Sequence, residues 1–230
     1  MEKSTFKKIG GFDHIPYKIE EKSEEQTLEL SESFRKKMDK RRSVRDFSDK
    51  PVSKHVIEKL IVTASSAPSG AHKQPWTFCA ISNFDLKKQI RSAAEKEEYE
   101  SYHGRMSDEW LEDLKAIGTD WHKPFLENAP WLVVVFKKIY NYNEHGGKAN
   151  NYYVNESVGL ACGFLITAIH EAGLVTLTHT PSPMNFLTEI LKRPENERPF
   201  LLLPIGYPAE NVYVPNLKRK RLEQVSDFYE

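Results

Sequence analysis

The stretch from Gly159 to Pro181 reads GLACGFLITAIHEAGLVTLTHTP, and it sets the class of the fold. Val158, Ala161, Cys162, Leu165 and Ile169 recur at helical spacing, and other faces are apolar too, so the helix is central and buried. It spans about Tyr152 to Glu171 and stops at Gly173, the residue type that most readily closes a helix in the left-handed conformation. Ser157, Gly159, Ala161 and Gly163 keep its surface small, which lets another helix, or its own symmetry mate, approach closely. Leu174 to Thr178 then reads as a strand. A buried helix handing on to a strand is the unit of an α/β protein.

Further out, Trp76 to Ile81, Trp131 to Phe136 (after the breaker Pro130) and Phe200 to Ile205 read as strands. A helix from about Leu28 runs into the basic residues near Arg42. Another follows Ser53, its N-cap, with the stripe Val56, Ile57, Leu60, Ile61 and Ala64. Ala67 to His72 is a loop by its Pro and Gly content. Ser182 and Pro183 place a capping residue before a proline, which predicts a helix to Leu191. Alternating strands and helices predict an α/β sandwich.

Residues 1–27 are polar with little periodicity and read as an extended arm, ahead of one domain over 28–230. Within that domain, about residues 84–128 are charged and helical in pattern. A charged insertion between core strands is where a lid is expected. A polar extension over about 208–230 closes the chain.

With 39% hydrophobic and 29% charged residues the composition is that of an ordinary globular protein. The 33 basic and 33 acidic residues cancel, so no global field draws in nucleic acid or a membrane. Any anion has to be held by a local cluster. Cys79 and Cys162 sit in apolar runs without metal-type spacing and read as reduced core residues. The histidines form no metal-ligand pattern either, so no metal is expected. The N-terminus lacks the apolar core of a signal peptide, and no run approaches the ~20 apolar residues that span a bilayer. The expected location is cytoplasmic.

Arg41, Arg42, Ser43, Val44 and Arg45, followed by Phe47, suit a phosphate, because guanidinium forks bind it bidentately. A solvated charge run reads the same way. Leu217-Lys218-Arg219-Lys220 is equally two-sided. There is neither a Walker loop nor a GxGxxG pattern.

The order of the motifs adds what the pieces lack. RRSVRDF at 41–47, APSGAHKQPWTF at 67–78, the GLACG helix, the LTHTP turn and LLPIGYP at 202–208 together resemble the nitroreductase superfamily of FMN enzymes. The resemblance runs from Arg41 to Lys220. It implies a three-layer α-β-α sandwich with a central mixed sheet, in a domain-swapped homodimer. It implies FMN contacts from Arg41, Arg42, Ser43, Val44 and Arg45, from Arg219 at the phosphate, and from Ser69 of the partner subunit. Thr178, His179 and Thr180 form the turn against the flavin, and Thr180 corresponds to the hydroxyl that meets flavin N5. His179 is a departure, standing where the family has threonine.

The lid is similar to that of the superfamily's deiodinase branch, which implies that Glu98, Tyr102 and Lys123 hold an amino-acid zwitterion. The spacing is coherent by itself: Glu98 and Tyr102 are i and i+4 and share a helix face. One carboxylate and one ammonium complement the two charges of the ligand. The N–H of Ala71 is expected at the phenolate oxygen. The implied reaction is reductive dehalogenation of 3-halo-L-tyrosines, mono- and diiodotyrosine giving tyrosine and iodide. NAD(P)H or a reductase would supply the electrons. A broad NAD(P)H-dependent nitroreductase or quinone reductase would keep the FMN residues without needing the lid triad. A non-catalytic flavin or halotyrosine binder would show no turnover.

Overall fold

Gly10 and Gly11, both at positive φ, turn a short antiparallel hairpin between β1 (Lys7–Ile9) and β2 (Phe12–His14). The computed structural model describes residues 6–230, and the chain divides into two compact units, up to Arg41 and from Arg42 to Glu230. In the first unit α1 (Glu24–Asp39) starts earlier than the expected Leu28. The reason is a capping box: Ser23 Oγ accepts from the Gln26 N–H, and the Gln26 side chain accepts from the Ser23 N–H. The arm expected over residues 1–27 is therefore not simply extended, since it holds the hairpin and the first turn of α1. Residues 1–5 lie outside the described part. The helix ends at Asp39, so the basic run follows it rather than riding on its last turn.

The second unit begins with α2 (Lys54–Ser65), capped by Ser53 as predicted. β3 (Trp76–Ile81), α3 (Phe84–Glu100), a π-turn over Ser101–Arg105, α4 (Asp108–Ala116) and α5 (Phe125–Asn128) come next. β4 (Trp131–Lys138) leads into a hairpin of β5 (Tyr140–Tyr142) and β6 (Lys148–Asn150), then α6 (Val154–Glu171). β7 (Val175–Thr176), α7 (Asn185–Ile190) and β8 (Glu197–Gly206) finish the core. The helix predicted to open at Ser182 opens instead at Asn185, without a side-chain cap. The Ser182 carbonyl accepts from Arg105 Nη1 at 3.1 Å and Ser101 Oγ at 3.4 Å, which ties that segment to the π-turn.

Leu132 to Phe136 are wholly buried, so β4 has water on neither face and must lie inside a sheet. The strand order is β3-β4-β8-β7, and every pairing is antiparallel. The mixed character expected of the sheet is reduced, among the described residues, to one parallel bridge between Ser43 and Thr176. Alternation sorts the side chains into two cores. Val133, Val135, Leu201 and Leu203 meet Ile57 and Leu60 of α2 and Val158, Leu165 and Ile169 of α6. Leu132, Val134, Phe136 and Leu202 meet Ile90 of α3, Phe125 and Leu126 of α5, and Leu187 of α7. The result is three layers, helices over sheet over helices. At about 1.5–3 kcal/mol for each large apolar side chain buried, the five residues of β4 alone make this packing decisive.

Two backbone arrangements carry the basic run to the sheet. The Val44 N–H reaches Thr176 O at 3.2 Å, beside the Ser43–Thr176 bridge. The chain beyond β8 holds the next residues, with Ser48 N–H to Tyr207 O and Ala209 N–H to Asp46 O, both at 3.0 Å. Gly206 permits this approach: a β-carbon there would lie 2.6 Å from Pro130 Cδ and 3.2 Å from Phe47 Cδ1. On the side of α6 away from the sheet, Leu160 and Phe164 are exposed and Gly159 and Gly163 have open space around them. Among the described residues no helix is long and apolar enough to cross a membrane.

Candidate functional site

Glu98 lies in the last turn of α3, Tyr102 one turn further on in the π-turn, and Lys123 just before α5. Glu98 Oε2 and Lys123 Nζ are 3.4 Å apart, in residues only 8% and 4% exposed. Lys123 Nζ also donates to Thr119 Oγ1 at 3.3 Å and to the Asp120 carbonyl, and lies 5.5 Å from the centre of the Tyr102 ring. The Tyr102 hydroxyl donates to Thr119 O at 3.4 Å. The backbone of Lys123 is fixed as well, its N–H donating to Glu95 Oε1 at 2.7 Å, while Arg91 bridges Glu95 and Glu127.

Burial governs the charges here. It pushes the Glu98 carboxyl above its ordinary value against the opposing pull of Lys123. It pushes the Lys123 ammonium below its ordinary value against Glu98. Burial and then the Glu98 charge raise the Tyr102 hydroxyl. Each member of the ion pair is thus costly to keep charged, and each is the other's main compensation.

These three residues line one pocket of about 210 Å³ together with Arg45, Thr178, His179 and Thr180. Met106, Trp110, Leu114 and Ile117 give it an apolar wall that sequence reading missed. Their spacing of four, four and three residues was a visible amphipathic stripe, masked by the acidic residues between them. The pocket therefore offers a carboxylate, an ammonium and a phenol beside a surface fit for an aromatic ring.

Arg45 supplies the test of whether an acceptor-rich cofactor fits. Its Nε is buried without a hydrogen-bond partner, and burial lowers the pKa of its guanidinium. A buried unpaired N–H costs about 1–3 kcal/mol, so an acceptor at this wall satisfies a donor the protein leaves open. A flavin, with ring carbonyls and nitrogens, is such an acceptor. Thr178 and Thr180 are exposed on the same wall, whereas His179 between them is buried.

The other expected residues lie elsewhere. Ser43 and Val44 are beside Thr176, and Arg42 Nη2 donates to the Pro215 carbonyl. Arg41 ends the first unit, its N–H on Met38 O. Arg219 is exposed in the tail. Ser69 Oγ accepts from the Gln74 N–H at 3.0 Å, and the Gly70 N–H reaches Ser157 Oγ at the start of α6. Ala71 has φ 44° and ψ 35°, the left-handed region that favours glycine. Such a residue costs of order 1 kcal/mol or more, a strain that gathers at ligand sites. None of these residues lines the pocket. Cys162 is buried and its thiol is pushed up to about 12 by desolvation, which suits packing rather than chemistry.

The chain belongs to the nitroreductase family, whose model matches residues 38–207. Among its relatives, the iodotyrosine deiodinase of Haliscomenobacter hydrossis is 62% identical over 215 residues, spanning 94% of this chain and 97% of the relative. Iodotyrosine deiodinase 1 of Homo sapiens is 42% identical over 93% of this chain and 74% of its own. Among solved structures, an oxidized iodotyrosine deiodinase bound to FMN and 3-iodo-L-tyrosine superposes with a TM-score of 0.72 at 30% identity, covering 86% of this chain and 99% of that one.

Proposed function

We propose that this protein is an FMN-dependent iodotyrosine deiodinase that removes halogen reductively from 3-halo-L-tyrosines. The observation that carries the reading is the convergence of Glu98, Tyr102 and Lys123 on the pocket wall that also bears Arg45, Thr178 and Thr180. The 62% identical deiodinase supports the same assignment, as does the likeness to a structure holding FMN and 3-iodo-L-tyrosine. When bound, FMN supplies two electrons which, with one proton, replace a carbon–iodine bond by carbon–hydrogen and release iodide.

The protein's own groups bind and orient. Glu98 meets the substrate ammonium, Lys123 its carboxylate, and Tyr102 closes beside them and excludes water. The Ala71 N–H holds the phenolate oxygen. Thr180 donates to flavin N5, with Thr178 and the backbone of His179 completing that turn. Arg42, Ser43, Val44 and Arg45 cradle the flavin, Arg219 takes its phosphate, and Ser69 packs against it.

That Ser69 and Ala71 stand away from the pocket, at the start of α6, supports a homodimer in which each site takes its loop from the partner. The exposed Leu160, Phe164, Gly159 and Gly163 face of α6 suits the contact. The electron donor is NAD(P)H or a reductase, and the setting is cytoplasmic.

The test is an anaerobic reaction of the purified yellow protein with diiodotyrosine and dithionite. Tyrosine and iodide in a ratio of about one to two are expected. Rapid reduction of nitroarenes or quinones by NAD(P)H, with no deiodination, would replace this reading by that of a general nitroreductase.

A further inference from the structure

His179 is 6% exposed, and its Nε2 is buried without a hydrogen-bond partner. Its backbone is pinned on both sides, the N–H on Leu202 O at 2.9 Å and the C=O accepting from Leu202 N–H at 3.1 Å. The ring stands edge-on to Phe125, 5.4 Å between centroids, so it is held under the lid. Exposed Thr178 and Thr180 alternate with buried His179, as in an extended chain where successive side chains point to opposite sides. The threonines thus present one side of the turn, and the imidazole presents the other, toward Phe125 and the neighbouring Lys123. Burial, Lys123 and Arg45, in that order, hold the imidazole neutral, with its pKa lowered to about 3. A neutral imidazole keeps one N–H donor without adding a third cation to a wall that already has two.

We propose that His179, as a specificity residue, donates a hydrogen bond from Nε2 to the carboxylate of the bound amino acid, beside Lys123. The proposal rests on the deiodinase reading. It assigns a second contact to the carboxylate end of the zwitterion, at the one position where the turn departs from the threonine-rich pattern. A buried donor left open is satisfied only when the anion arrives, which favours ligands that bring one.

The test uses the FMN-loaded protein and its His179→Phe and His179→Gln variants, with flavin fluorescence reporting binding. His179→Phe keeps the ring against Phe125 and removes the nitrogen, and 3-iodotyrosine should bind about ten- to a hundredfold more weakly. His179→Gln restores a donor and should recover most of that loss. 3-Iodotyramine, which lacks the carboxylate altogether, should bind the parent and His179→Phe alike. Equal binding of 3-iodotyrosine to parent and His179→Phe, or an equal loss for 3-iodotyrosine and 3-iodotyramine, overturns the proposal. Should His179→Phe fail to retain FMN, parent protein labelled with nitrogen-15 histidine decides: the Nε2 resonance absent from His179→Gln must move on adding 3-iodotyrosine, and an unmoved resonance overturns the proposal. Failure of the parent to bind or turn over 3-iodotyrosine would instead remove the deiodinase reading.

Discussion

Glu98 comes from the last turn of α3 and Lys123 from the segment before α5, and they lie 3.4 Å apart, with side chains only 10% and 5% exposed. Burial disfavours the charge on both, so the contact is a mutual compensation more than a surplus of attraction. A zwitterion offers each of them a fresh partner of the right sign. Truncating one member of a closed pair typically costs about 2–5 kcal/mol, because the other charge stays buried. Glu98→Gln and Lys123→Ala should therefore weaken halotyrosine binding by roughly thirty- to several-thousandfold and leave FMN content unchanged. Halophenols, which lack the zwitterion, should hardly distinguish the variants from the parent. Titration by flavin fluorescence checks both statements.

α4 contributes no buried residue, and Trp110 is 51% exposed although it lines the pocket. A halotyrosine ring packed against Trp110 and Leu114 would give this helix the apolar cover it lacks. Covering on the order of 50–100 Å² is worth about 1–2.5 kcal/mol. Trp110→Ala should then cost about five- to seventyfold in halotyrosine affinity. Tryptic cleavage at Lys115 should slow in the parent when halotyrosine is added. Unaltered cleavage would leave α4 outside the binding event.

His179 also sets an acid limit on stability. Its pKa falls from an ordinary 6.5 to about 3 in the folded chain, mainly through burial. The unfolded chain takes up this proton as pH falls below about 6.5, and the folded one does not until about 3. The stabilising difference is therefore complete above 6.5 and is lost as pH drops toward 3, at about 1.4 kcal/mol per unit. In urea titrations, the stability of the parent relative to His179→Phe should decline by that slope between pH 6.5 and 4.5. A pH-independent difference would mean that the imidazole titrates normally.

The open face of α6 supplies a fourth expectation. Leu160→Glu combined with Phe164→Glu places like charge on the α6 face that the homodimer proposed above would bury, where both residues are solvent-facing. A folded monomer with little bound FMN is expected by analytical ultracentrifugation and absorbance. A dimer with full flavin would move the interface elsewhere.

The apolar β4 run, the Ser53 cap and the Gly173 stop were legible because each is a local signal, acting within a few residues. The start of α1 was equally local, in Ser23 and Gln26, yet no apolar run follows to draw the eye. The β5–β6 hairpin hides in polar sequence, its turn built by Asn143 Oδ1 accepting from the N–H groups of His145 and Gly147. The start of α7 was decided by Arg105 and Ser101, some eighty residues away. In the site, the shared face of Glu98 and Tyr102 was readable from their spacing. The pairing with Lys123 required knowing that α3, the π-turn and α4 fold back. His179 showed only as a departure from a pattern, and its open nitrogen emerged from packing against Phe125.

Gly206 has no functional group, yet its missing side chain is what the cofactor wall leans on. The space a methyl would take is filled by Pro130, at the entrance to β4, and by Phe47, two residues after Arg45. Gly206→Ala would push at both, and the backbone ties from Tyr207 and Ala209 would carry the push into the segment holding Arg45. Such a chain could retain its sheet and fail as a flavoprotein. A colourless preparation with native circular dichroism would then trace back to a glycine that touches no ligand.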